Sequence, residues 1–117
     1  MKFNYLTLAL VALATAAVMA GCGKSEPSAA ARESAWIYEN QEKVKGKLKD
    51  PNSAEFRDVF VSKKAGAPFV CGEVNAKNSF GGFTGFQKFI AGGEVVVVAS
   101  QMQAGDMDEV WGKTCVR

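Results

Sequence analysis

Few residues of this 117-residue sequence are equipped for covalent chemistry, and three of them are thiols: Cys22, Cys71 and Cys115. A thiol can ligate a metal, exchange disulfides, act as a nucleophile or carry a lipid, depending on its neighbours and its compartment. The neighbours here are sparse. The chain contains no histidine, so the commonest general base, the usual triad member and the usual companion of Cys in mixed metal sites are all missing. There is no Cys-x-x-Cys spacing, no Ser-x-x-Lys dyad, no Gly-x-Ser-x-Gly elbow and no phosphate-cradling P-loop. Carboxylates are present, notably Glu55, Asp58, Glu73, Asp106 and Asp108. Any small protein carries such a set, and no spacing marks two of them as a general acid–base pair. The sequence therefore predicts no catalytic residue, no metal and no cofactor.

Cys22 follows a basic residue, Lys2, and an apolar run from Tyr5 to Ala20. That layout is an export signal, shorter than the roughly 20 residues needed to span a bilayer as a helix. The stretch Met19-Ala20-Gly21-Cys22 resembles the lipidation site of bacterial lipoprotein precursors, Leu-(small)-(small)-Cys, with Met19 supplying the apolar side chain. The resemblance implies that residues 1–21 are a signal peptide cut away and that Cys22 carries a diacylglyceryl group. A retained membrane anchor and cleavage at an ordinary small-residue site are the competing readings. Gly23, where Asp would direct retention, implies by the same resemblance an outer-membrane destination on the periplasmic side of a diderm envelope. Several acyl chains at one residue give firm membrane attachment, whereas a single chain binds marginally.

Export decides how the other two cysteines are read. In an oxidising compartment an even pair is expected to bond, so Cys71 and Cys115 are predicted to form a disulfide. A two-Cys metal or redox site is the alternative. Residues 22–32 are small and polar and contain Pro27, which marks a lipidated flexible tether. Residues 33–117 are then enough for one small domain. The formal net charge is +2, and loss of Lys2 with the signal lowers it to about +1. A charge that small provides no field for nucleic acid, and no nucleic-acid partner is expected.

The elements that must position any site follow from periodicity. Glu33 to Lys49 reads as a helix with Ile37, Val44 and Leu48 on one stripe, bordered by Trp36 and Gln41, and with a Glu39–Lys43 pair one turn apart. Pro51 ends it, and Asp50 is placed to cap a short helical corner over Pro51–Ser53. Four strands are predicted: 56–62, 69–75, 83–91 and 94–100, with Gly92-Gly93 as the last hairpin turn. Val95 to Val98 is apolar on both faces, which places the fourth strand centrally. Asp106 and Glu109 have capping-box spacing, favouring a short helix from about Met107 to Cys115 over a fifth strand. The predicted fold is α+β: an N-terminal helix packed on a four-stranded antiparallel meander, a short C-terminal helix or strand, and one disulfide.

One segment concentrates Gly, Asn and Phe: Cys71 to Phe89, CGEVNAKNSFGGFTGFQKF. With the corner formed by Asp50, Pro51, Ser53, Ala54 and Phe56, it resembles a family of small, poorly characterised bacterial exported proteins and lipoproteins. Their pattern pairs Asp-Pro-x-Ser-Ala-x-Phe with Cys-Gly-x-Val-Asn-x-Lys-Asn-x-(aromatic)-Gly-Gly-(aromatic)-x-Gly-(aromatic). The resemblance covers roughly residues 48–90 plus Cys115 and brings no shared activity with it.

Within that segment Phe80, Phe83, Phe86 and Phe89 recur every third residue. In a strand, Phe80 and Phe86 would face one way and Phe83 and Phe89 the other. Either a glycine bulge re-phases them into the core, or part of the set forms an exposed aromatic patch. Asn75, Lys77 and Asn78 suit a turn, and equally a polar recognition edge beside exposed Phe rings that would hold a carbohydrate, a peptide or a partner loop. Glu73 is expected to pair with Lys77. The candidate binding residues are therefore Glu73, Asn75, Lys77, Asn78, Phe80, Phe83 and Phe86. Lys43, Lys45, Lys47 and Lys49 add a basic run, read as a solvated helix surface or a contact for anionic lipid. Two functions fit this equipment. One is a non-catalytic binding or accessory module of the envelope, anchored in the membrane through Cys22, with a protein or envelope-glycan partner. The other is an inhibitor or exclusion factor that blocks a periplasmic hydrolase or a phage component.

Overall fold

The computed structural model describes residues 25–117, so the predicted signal peptide and Cys22 lie outside the described residues. The chain is an α+β meander with a helix on each face. In order, it forms α1 (Ala29–Lys45), a 3-10 corner at Pro51–Ser53, β1 (Glu55–Ser62), β2 (Phe69–Asn75), β3 (Gln87–Gly92), β4 (Val95–Val98), a 3-10 turn at Ala99–Gln101 and α2 (Asp106–Thr114). The strands pair antiparallel in sequence order, β1-β2-β3-β4.

Helix α1 starts four residues before the expected Glu33, inside the stretch assigned to the tether. Ser28 caps it, its hydroxyl accepting from the Ala31 N–H at 3.1 Å, and Ala29 to Ala31 are the best helix formers available. It stops at Lys45, not Lys49. Gly46 weakens the helix, and the chain tightens through Lys47 N–H to Val44 O at 2.9 Å and Leu48 N–H to Lys45 O at 3.0 Å. Lys47 and Lys49 therefore lie beyond the helix and not on its faces. The buried positions of α1 are Asn40 and Val44, with Trp36, Ile37 and Leu48 packed around the core. The expected Glu39–Lys43 pair forms at 3.4 Å. At the corner, Asp50 makes no side-chain cap; its carbonyl instead accepts from the Ser53 hydroxyl at 2.7 Å.

Strand β4 is an edge strand, which corrects its central placement. It is apolar on both sides because the sheet lies between two helices. Val98 and Val96 join the α1-side core with Val44, Val70, Val74, Phe89 and Ala91. Val97 joins the other side with Cys71, Ile90, Met107 and Cys115. The β3–β4 turn is Gly93-Glu94, since Gly92 still pairs with Val95; Gly93 supplies the positive φ of 56°.

Strand β1 alternates imperfectly. Phe56, Val59 and Val61 all pack on the α1 side, while Phe60 packs on the other. A bulge between Arg57 and Phe60 makes this possible. Asp58 takes the left-handed conformation, φ 52°, and its extra residue shifts the pleat by one. Asp is among the few non-glycine residues that enter this region readily.

The C-terminal segment is a helix, as favoured. The capping box does not form: Gly105 at φ 89° is the cap residue, and Asp106 lies inside the first turn with Asp108 and Glu109. Acids there complement the helix dipole. Two devices fasten α2 to the sheet. Cys71 and Cys115 are disulfide-bonded with Cα atoms 6.0 Å apart. The buried Ser62 hydroxyl donates to Thr114 O at 2.6 Å and accepts from Val116 N–H at 3.1 Å.

Candidate functional site

The predicted third strand does not begin at Phe83. Residues 76–86 leave the sheet as a loop between β2 and β3, folded back on itself through a single antiparallel bridge between Lys77 and Phe83. Two glycines force the departure, Gly81 at φ 81° and Gly85 at φ 96°, conformations that a regular strand does not contain.

Both asparagines are structural acceptors. Asn78 Oδ1 accepts from Phe80 N–H at 2.9 Å and from Gly82 N–H at 3.2 Å, while Asn78 N–H donates to Gly82 O at 2.8 Å. Asn75 Oδ1 accepts from Gly85 N–H at 3.0 Å. An amide side chain mimics a turn carbonyl in this way. The base of the loop is held by Ser53, whose hydroxyl accepts from Lys77 N–H at 2.8 Å while donating to Asp50 O. That hydroxyl physically joins the Asp50–Phe56 corner to the Asn-rich segment, the two halves of the sequence pattern.

The loop presents its aromatics unequally. Phe80 is 97% exposed at the tip, and Phe83 is 48% exposed with Lys77 Nζ 5.5 Å from its ring centre. Phe86 is half-buried, with the Arg57 guanidinium stacked 3.8 Å from its centre. Phe89 is fully buried and meets Phe56 edge-on at 5.5 Å. Phe83 and Phe89 therefore do not share a face, because a loop, not a strand, separates them. Gly72 opposite Phe89 makes room for the ring: a Cβ there would lie 3.0 Å from it and 2.9 Å from Val59.

Glu73 pairs with Arg57 at 3.0 Å, not with Lys77. Arg57 stands directly across the β1–β2 ladder from Glu73, whereas Lys77 lies past the end of β2. The seven candidate residues thus separate into two groups. Glu73 and Phe86 belong to an Arg57-centred cluster beside the sheet; Asn75, Lys77, Asn78, Phe80 and Phe83 build and present the loop. Arg57, Ser53 and Thr84 also build the site, although none of them is among the seven candidates. Thr84 N–H donates to Ala76 O at 3.3 Å. The signal for Ser53 was its place in the Asp-Pro-x-Ser corner; Arg57 had none, since its role depends on strand register.

Among the described residues no group of three or more His, Cys, Asp or Glu is placed to hold a metal ion, and no helix is long and apolar enough to cross a membrane. A scan against protein families, a search of curated proteins and a search of solved structures each found no match.

Proposed function

We propose that this chain is a non-catalytic binding module of the cell envelope. It is held at the periplasmic side of the outer membrane by lipid on Cys22 and engages a protein or envelope-glycan partner through the loop of residues 75–86. The observation carrying the reading is Phe80, fully exposed on a loop whose backbone is held by Asn75 and Asn78. A pre-ordered loop loses little entropy on binding, and a large exposed ring at its tip supplies contact area at low conformational cost. The second reading, an inhibitor or exclusion factor, draws on the same protrusion: a stiff loop with an aromatic tip suits insertion into a concave active site.

Photo-crosslinking from position 83 in intact envelopes tests the recognition half. A Phe80→Ala variant is expected to lose at least tenfold in captured partner, with stability within about 0.5 kcal/mol of the parent, as for an exposed position. Unchanged capture would mean that the loop is not the binding element. A membrane-embedded or glycan partner favours the accessory module; a soluble hydrolase or phage component favours the inhibitor. The anchor is tested separately. Cys22→Ser is expected to abolish metabolic labelling with an alkyne-tagged fatty acid and to release the protein from sedimented membranes, and persistent labelling would refute the assignment.

A further inference from the structure

Beside the loop, two hollows of about 300 and 360 Å³ adjoin, sharing Thr84, Gln87 and Ser100. The first is bordered by Lys47, Lys49 and Lys77, and the second reaches Phe86. No carboxylate lines either hollow. Among the described residues these three lysines make no ion pair, in contrast to Lys43, Lys45, Lys88 and Lys113.

The hydrogen bonding of the lining decides what it offers. Asn78 commits its amide oxygen to two loop N–H groups, and Gln87 commits its own to Ser100 N–H at 2.7 Å. A backbone N–H can bond only to the oxygen of a side-chain amide, so both NH2 groups are left free. Gln101 is oriented the other way, its Nε2 donating to Lys47 O at 2.6 Å, and it fixes Lys47's backbone at the rim. The trough is therefore lined by two amide donors and three lysines, against a single free amide oxygen on Gln101. Its complement is rich in acceptors and negatively charged.

We propose that this trough binds an acidic saccharide, a sugar whose carboxylate or phosphate lies among Lys47, Lys49 and Lys77 while its hydroxyls meet the Asn78 and Gln87 amides. Free amide donors beside the lysines suit the hydroxyls of a glycan, whereas attraction to an anionic lipid surface needs only the basic residues. The inference deepens the binding-module reading and rests on it for the role; the trough shares Lys77, Asn78, Thr84 and Phe86 with the loop, but Phe80 lines neither hollow.

The test follows backbone amide NMR shifts of the full chain in zwitterionic detergent. The probes are trigalacturonic acid for the carboxylate, glucose 6-phosphate for the phosphate, the neutral methyl ester of the trisaccharide, and mixed micelles containing phosphatidylglycerol. One or both acids are expected to shift amides around Thr84, Gln87 and Ser100 saturably, with the ester at least tenfold weaker. Lys47→Glu/Lys49→Glu is expected to weaken binding at least tenfold, while the charge-matched Lys63→Glu/Lys113→Glu, away from the trough, leaves it within twofold. Both lysines of the first pair are exposed, so the fold tolerates the reversal. Neither acid binding, an equally tight ester, indifference to the Lys47/Lys49 reversal, equal loss in the control pair, or a response only to phosphatidylglycerol would each overturn the proposal. In each of those cases the crosslinking result with Phe80→Ala still reports on the loop tip, since Phe80 lines neither hollow.

Discussion

A Cys71→Ala/Cys115→Ala variant is expected to lose about 4 kcal/mol of stability, by the loop-closure entropy of a 44-residue separation. In a domain of this size that corresponds to a fall in melting temperature on the order of 20 °C. The loss has a direction as well as a size. The bond ties the end of α2 to the middle of β2, and α2 covers Ile90 and Val97 on the sheet face turned away from α1. Without it, α2 is held by the Ser62 hydroxyl, by a Lys88–Asp108 pair at 3.1 Å and by the packing of Met107, Val110 and Trp111. Exposed pairs of that kind add little. Hydrogen exchange should therefore accelerate first in residues 106–116, ahead of the sheet. Equal melting temperatures for parent and variant would show that the α2 face is sufficient without its covalent tie.

Phe89→Ala is expected to cost about 3–5 kcal/mol, the range for truncating a buried aromatic. The ring is fully enclosed, edge-on to Phe56, seated over Gly72 and surrounded by the α1-side core. A loss of that size is a large fraction of the stability of a small domain, so thermal melts should show a much earlier transition. Phe89→Leu refills much of the space and is expected to recover more than half of the loss. Were Phe89→Ala to melt within 1 kcal/mol of the parent, the ring would not be the keystone of the α1-side core. Phe80, nine residues earlier in the same every-third series, is expected to be nearly silent in the same assay.

That contrast shows what could be read in advance. Four phenylalanines at equal spacing look alike in sequence; what separates them is Gly81 and Gly85, whose positive φ converts a predicted strand into a loop. The glycines were visible, their left-handed conformation was not. Strand β2 was legible from Phe69 to Asn75 because turn residues bound it on both sides. Strand β4 was misplaced because apolarity on both faces signals only that both faces are covered, and α1 and α2 cover one face each at the edge of the sheet. The disulfide followed from cysteine parity and the expectation of export. The loop's polar residues were legible as a group, but Glu73's partner depended on the β1 bulge, and the lysine-rimmed trough depends on segments 47–49, 76–78 and 99–101 meeting in space.

The bulge at Asp58 has a consequence for solubility. A four-stranded open sheet has two free margins, each a row of unpaired backbone groups onto which a second copy could add a strand. Here the β4 margin is only four residues long. The β1 margin is longer, but Asp58 breaks its hydrogen-bonding rhythm and puts an exposed carboxylate at the break. A strand arriving from another molecule would find neither a straight ladder nor a neutral one. The residue that re-phases β1 for its own core thus also keeps neighbouring chains from growing onto it, a useful property for molecules proposed to crowd together on one membrane surface.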